Sequence, residues 1–214
     1  HEILTARRWD CCQIQLNYMD TETQAGLKGY RLTEELGVPL IIMEPVKGGA
    51  LASPPPEVMD LFAPLRPGAS ASSWALRWAA SLPNVMTVLS GMSTMVQVED
   101  NLATFQHFQP LSGTERAAVD RAAECFRQKV RNGCTGCQYC MPCPAGVDIP
   151  GLFQVWNEYA MFQNRDRARA KWKDLDEEER PHRCVSCGAC EEKCPQSLPI
   201  RADLLRAGEE LERL

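Results

Sequence analysis

The chain has 214 residues, 44% of them hydrophobic and 24% charged. That composition suits one or two folded domains and argues against a disordered or fibrous protein. The formal charge is −5, with 7 basic and 11 acidic groups in residues 1–110 and 16 and 17 in the remainder. Neither half has the basic surplus that neutralises phosphates, so nucleic acid is not an expected partner. The longest apolar runs, such as 38–43, fall far short of the roughly 20 residues that span a bilayer, and no membrane partner is expected.

In chain order, His1 rather than Met stands first. The chain is therefore expected to be the C-terminal piece of a longer protein. A helical stretch over 2–9 feeds an apolar run at 11–18, followed by further apolar runs at 38–44 and 85–90. All three are short and rich in Ile, Val and Leu, as buried parallel strands are. Helical patterns lie at 23–36, 73–81 and 95–105, giving three consecutive β-α units of a parallel α/β fold. The Pro-rich segments 52–56 and 64–68 break helix and strand alike and read as surface loops. Three parallel strands alone leave both sheet edges unpaired. An eight-stranded TIM (β/α)8 barrel takes about 250 residues, so the expectation is its last three units, with five upstream. The alternative is a small open sheet complete in itself. A helix over 111–131 follows, with Ser112 and Glu115 spaced as a capping box. The expected division is a barrel portion at 1–111, a linking helix at 112–131 and a cysteine-rich domain at 132–214.

Eleven cysteines are the outstanding feature of the composition. Cys134, Cys137, Cys140 and Cys143 form C-x2-C-x2-C-x2-C, followed by Pro144. Cys184, Cys187, Cys190 and Cys194 form C-x2-C-x2-C-x3-C, followed by Pro195. Three thiolates at this spacing can hold three irons of one cubane, and the Pro-flanked fourth is aimed at the other cluster, as in two-cluster ferredoxins. The expected pairing is crossed. Cys134, Cys137, Cys140 and Cys194 would hold one [4Fe–4S] cluster, and Cys143, Cys184, Cys187 and Cys190 the second. Structural zinc is the main alternative, but it needs only four ligands and would leave one thiolate of each triplet idle. A disulfide framework is a further alternative, better suited to small secreted domains. The first motif is one residue shorter before its last cysteine than the usual run. Cys11, Cys12 and Cys125 match no ligand spacing and read as buried free thiols.

Between the motifs, a helical pattern over 149–174 places Phe153, Trp156, Tyr159 and Phe162 on one face, which reads as core. The basic run 165–173 reads as a solvated helix. A last amphipathic segment covers 201–214. The domain resembles the α-helical ferredoxins fused to redox enzymes. In the first half, Ser90, Gly91, Met92, Ser93 and Thr94 lead into a helix with Thr94 and Gln97 spaced as a capping box. Free N–H groups there suit a phosphate.

Residues 9–20 (WDCCQIQLNYMD), 39–51 (PLIIMEPVKGGAL) and 88–105 (VLSGMSTMVQVEDNLATF) resemble the last three strand regions of an aldo/keto reductase. The two cysteine motifs resemble the ferredoxin-type extension of one bacterial and archaeal branch of that family. The resemblance implies that Gln13 meets the nicotinamide carboxamide of NADP or NAD, and that Met43 lies where the family often stacks an aromatic. It places Pro45, Val46, Lys47, Gly48, Gly49 and Leu51 along the cofactor, and Ser90, Gly91, Met92 and Ser93 at its phosphates. Gln97, Asp100 and Asn101 approach the adenosine end. The family's catalytic Asp, Tyr, Lys and His fall upstream, so no catalytic residue is expected here; Tyr18, His1, His107 and His182 read as packing or surface.

The expected activity of the complete enzyme is hydride transfer between NAD(P)H and a small carbonyl or alcohol. The two [4Fe–4S] clusters would exchange electrons with a ferredoxin, a flavin or another redox subunit. The expected compartment is the cytoplasm, because exposed cubanes need reducing conditions. The rival reading is an iron–sulfur electron-transfer or docking module that binds no nucleotide.

Overall fold

A computed structural model describes residues 1–106 and 108–214; His107 lies outside the described residues. The chain divides into two compact units, His1–Cys125 and Phe126–Leu214. The division falls inside a helix, between the two boundaries read from the sequence. Among the described residues no helix is long and apolar enough to cross a membrane.

The first unit is built on a three-stranded parallel sheet in the order β1 (Cys12–Gln15), β2 (Leu40–Met43), β3 (Val85–Val88). A four-residue helix, α1 (Glu2–Thr5), precedes it, shorter than the stretch read over 2–9. Helix α2 (Gly26–Glu35) joins β1 to β2, and α3 (Pro56–Phe62) and α4 (Ala71–Ala80) join β2 to β3. Pairing is in register between β1 and β2, Gln13 opposite Ile41, and slips by one residue between Leu40 and Ile41 against β3. Leu40 and Ile42 of the central strand are fully buried, whereas β3 buries none of its residues. Helix α4 is buried nearly all round, as its Ala- and Trp-rich sequence requires, and Ser70 caps it by accepting from Ser73 N–H. Trp74 stacks on Phe62 with ring centroids 4.5 Å apart.

Helix α3 was not anticipated. Its Pro56 sits in the first turn, where the missing N–H costs nothing, so a Pro-rich run starts a helix instead of excluding one. Helices α5 (Met95–Gln106) and α6 (Gly113–Arg127) follow. Ser112 and Glu115 make both halves of the capping box at α6. Glu115 also receives two hydrogen bonds from Arg77, at 2.7 and 3.1 Å. This pairing holds the Glu115 carboxyl down, to a pKa of about 2.

The second unit is helical: α7 (Ile149–Phe162), α8 (Arg165–Asp174), the short α9 (Ala189–Glu192) and α10 (Ile200–Glu212). The stretch read as one helix over 149–174 is two. Gln163 takes a left-handed conformation, and Asn164 caps α8 by accepting from Arg167 N–H. Ile149, Leu152, Phe153, Trp156, Trp172, Ile200, Leu204 and Leu211 form one core, and six of the eight motif cysteines pack against it. Phe153, Trp156 and Phe162 are buried, as expected of a core face. The basic helix α8 buries only Ala168 and Trp172. The three thiols outside the motifs are not buried: Cys11 is exposed, and Cys12 and Cys125 are half-buried. Cys11 and Cys12 sit where edge strand β1 begins, with no neighbouring strand on its open side to cover them.

Candidate functional site

At the C-terminal ends of β2 and β3 the first unit opens a cavity of about 450 Å³, partly continuous with solvent. The loop after β2 supplies Met43, Glu44, Pro45, Val46, Gly48 and Gly49; the loop after β3 supplies Leu89, Ser90, Gly91 and Met92; helix α5 supplies Gln97, Asp100 and Asn101. Glu44, Lys47, Gly48 and Gly49 all have positive φ, at 56°, 52°, 56° and 83°. Left-handed backbone at two non-glycine positions is strain that the surroundings must hold. The holding groups are visible. Asn17 donates to the Glu44 carbonyl at 3.1 Å, and Lys47 Nζ donates to both Asp20 carboxylate oxygens at 2.6 and 2.8 Å. Leu51 is buried beneath the loop.

Of the residues assigned to a nucleotide from the sequence, Met43, Pro45, Gly48, Gly49, Ser90, Gly91, Met92, Gln97, Asp100 and Asn101 line this cavity. Gln13 lies behind it, donating to Met43 Sδ at 3.3 Å. Lys47 and Leu51 hold the loop from below, and Ser93 stands at the head of α5. There Gln97 Oε1 accepts from the N–H groups of Ser93 and Thr94 at 2.7 and 3.2 Å, while Thr94 accepts from Gln97 N–H at 3.3 Å. Ser90 accepts from Asn101, and Ser70 donates to Asp100 at 2.6 Å, tying the β3 loop and α4 to α5. Ala52, Ser72 and Leu89 were not anticipated in the lining. Ser72 comes from helix α4, far away in sequence. Tyr18 is buried with its ring edge-on to Trp78, and burial pushes its phenol well above the usual range. It packs, and it does not line the cavity.

In the second unit, two smaller cavities each gather four thiols. One is lined by Cys134, Cys137, Cys140 and Cys194 beside Ile149, Pro150, Phe153 and Ile200. The other is lined by Cys143, Cys184, Cys187 and Cys190 beside Ile149, Arg201 and Leu204. All eight are free thiols. The donor set, four thiols to a cavity against apolar walls, fits a cubane with one thiolate per iron. Among the described residues no three His, Cys, Asp or Glu side chains converge as a single metal ion requires.

The two halves of this unit repeat one another. Left-handed residues flank the middle cysteine of each triplet, Gly136 and Gln138 around Cys137, Ser186 and Gly188 around Cys187, so both loops curl the same way. Gly146 N–H bonds back to the Cys143 carbonyl at 3.0 Å, and Ser197 N–H to the Cys194 carbonyl at 3.1 Å. Both of these turn residues are left-handed. Two short turns, Ile149 N–H to Val147 and Ile200 N–H to Leu198, then open α7 and α10. Burial pushes up the Cys140 and Cys190 thiols, the third of each triplet. Cys134 is further fixed by donating its N–H to Asn132, a buried amide that itself donates to Asp203.

Comparison with known families separates the same two regions. Residues 63–124 match the aldo/keto reductase family model, and residues 133–198 match the 4Fe-4S dicluster domain model. Residues 63–124 are thus similar to a segment of aldo/keto reductases and residues 133–198 to a dicluster iron–sulfur domain, a combination that suggests an iron–sulfur-containing oxidoreductase. The reductase match covers α4, β3 and α5 with the β3 loop, and leaves β1, β2 and the loop after β2 outside it. No curated protein and no solved structure matches the chain.

Proposed function

We propose that this chain is the C-terminal, cofactor-binding portion of an NAD(P)H-dependent aldo/keto reductase with two [4Fe–4S] clusters for electron transfer. The observation that carries the reading is the cavity of about 450 Å³ at the C-terminal ends of parallel strands, the end where β/α enzymes bind their ligands. In this reading β1 to β3 are the last three strands of an eight-stranded barrel. Three features support it: β1 and β3 each pair on one side only, Met86 and Leu89 are exposed, and α5 buries no residue. The earlier strands, and the tetrad that handles the carbonyl proton, belong to sequence outside these 214 residues.

The nicotinamide cofactor, when bound, supplies or accepts hydride, and the clusters supply one-electron transfer. Met43 would border the nicotinamide end, its thioether standing where the family often has a stacking ring, and Gln13 would position it through its hydrogen bond to Met43 Sδ. Pro45, Gly48 and Gly49 wall the cofactor, and Lys47 and Leu51 keep that loop in its strained form. The amides and hydroxyls of Ser90, Gly91, Met92 and Ser93 hold the phosphates. Gln97 Oε1, which accepts from the Ser93 and Thr94 N–H groups, would compete with a phosphate for them, and Gln97, Asp100 and Asn101 would border the adenosine. Cys134, Cys137, Cys140 and Cys194 hold one cluster; Cys143, Cys184, Cys187 and Cys190 hold the other. The substrate is a small carbonyl or alcohol, and the electron partner is a ferredoxin, a flavin or a redox subunit.

The test is fluorescence titration of the intact, cluster-loaded protein with NADH and NADPH. Saturable binding that is lost in an S90A/S93A double variant is expected. No binding at millimolar cofactor overturns this reading in favour of an iron–sulfur docking module.

A further inference from the structure

The repeat in the second unit makes its exceptions informative. Position by position, α7 and α10 present matching core residues: Ile149 with Ile200, Phe153 with Leu204, Trp156 with Ala207, all buried. The residue after the first isoleucine breaks the match. In α7 it is Pro150, lining the cavity of Cys134, Cys137, Cys140 and Cys194. In α10 it is Arg201, lining the cavity of Cys143, Cys184, Cys187 and Cys190. No charged side chain borders the first cavity; a guanidinium borders the second.

Arg201 is held there by several bonds. Its backbone N–H and Nε donate to the Glu191 carboxylate, each at 2.9 Å, Nη2 pairs with the same carboxylate at 2.7 Å, and Nη1 donates to the Ser186 carbonyl at 3.4 Å. A Cβ on Gly188, next to Cys187, would lie 3.9 Å from the guanidinium carbon. Arg201 borders the cavity, and the Glu191 carboxylate it pairs with follows Cys190 in the chain and lies within electrostatic reach of that thiol, so Arg201 acts on the site as the cationic half of an ion pair.

We propose that Arg201 makes the two clusters unequal, so that the one held by Cys143, Cys184, Cys187 and Cys190 is the easier to reduce. The inference rests on the reading that both cavities hold [4Fe–4S] clusters. One-electron reduction adds one negative charge to a cubane, and a fixed cation beside it stabilises the reduced form. Local charge, hydrogen bonding and exposure are the levers that set such potentials. The Arg201 side chain is half open to water, which screens the effect to a modest size. Pro150 offers the other cluster no charge.

The experiment is an anaerobic potentiometric titration with dithionite, followed by EPR, on the intact protein, with iron and sulfide counted in every sample. The wild type is expected to show two midpoints. Arg201→Gln should lower the higher one by a three- to tenfold change in the reduction equilibrium, at 59 mV per tenfold for one electron, and leave the lower in place. Arg201→Lys should keep most of the difference, and Pro150→Arg should raise the lower midpoint by a similar factor. Unmoved midpoints in Arg201→Gln and Pro150→Arg at full iron content overturn the proposal. So does loss of half the iron in Arg201→Gln with unmoved midpoints in Pro150→Arg, which would make Arg201 a structural clamp on the Ser186 loop. Wild-type protein without iron or sulfide would instead sink the cluster reading itself.

Discussion

The two units solve the problem of burial in opposite ways. The second closes on itself: eleven buried residues from α7, α8, α10 and the cysteine loop form one core, and the motif cysteines lie against it. The first leaves its sheet open. Its central strand is buried, yet edge strand β3 is not, and α5 carries Met95, Val96 and Leu102 exposed, Val96 at 74%. Isolated exposed apolar residues are ordinary, but a whole helix and strand with none buried is a face built to be covered. One region packs its thiols against its own core. The other leaves a strand and a helix without a buried residue beside its cavity.

The sharpest way to break this contrast is to remove a ligand. Cys194→Ala is expected to lower iron from about eight to about four per chain, with Cys143→Ala doing the same for the other cavity. Loss of all the iron in either variant would show that the cavities are not independent sites. Next comes Phe153→Ala, which empties a fully buried position beside the first cavity. It should cost about 3–5 kcal/mol, read as a lower denaturant midpoint for the second unit; a cost below about 1 kcal/mol would contradict its place in that core.

The Arg77–Glu115 pair tests the closed part of the first unit. Arg77 is 3% exposed, and its hydrogen bonds hold the Glu115 carboxyl at about 2. A carboxyl depressed in the folded state stabilises the protein fully above its unfolded pKa and loses that contribution as pH falls through the folded value. The window therefore runs from about pH 4.5 down to about 2. The contribution is on the order of 2 kcal/mol. Amide exchange in α4 should accelerate on acidification through this window, and Glu115→Gln should accelerate it already at pH 7 and remove the pH dependence. The smallest effect should come from the open face: Val96→Ala ought to change stability by no more than about 0.5 kcal/mol in this chain. A loss above about 1.5 kcal/mol would mean that α5 is covered, either by further sequence or by a second copy.

Much of this protein is legible one residue at a time. The cysteine spacing carried the two motifs because ligand geometry is local, a matter of three residues curling around a cube. Apolar runs marked all three strands, most clearly central β2, whose Leu40 and Ile42 are buried. The Ser112–Glu115 and Thr94–Gln97 caps were readable because a cap is satisfied within four residues. Where the reading fell short, the cause was distant or conformational. The Pro-rich segment hid α3, because proline breaks a helix interior but suits its first turn. The turn at Gln163 hid the end of α7, since a glutamine there takes a left-handed conformation usually left to glycine or asparagine.

The sequence by itself determined the chemistry available: eight thiols in two runs, an α/β half before them, and a glycine- and serine-bearing loop before a helix. Only the tertiary structure decided who meets whom. It brought Cys194 to the first triplet and Cys143 to the second, across about fifty residues of intervening chain. It placed Ser72 of α4 in the cavity beside the loops after β2 and β3 and paired Asp20 with Lys47. The repeat was only partly visible in residue identity: the cysteines, the prolines after Cys143 and Cys194 and the pair Ile149 and Ile200 recur, but Gln138 stands where Gly188 does and Ser186 where Gly136 does. Backbone conformation and burial, which depend on what the whole chain packs against, were conserved between the halves when side-chain identity was not. Against that shared frame a proline and an arginine occupy equivalent places, and charge distinguishes two sites that geometry makes alike.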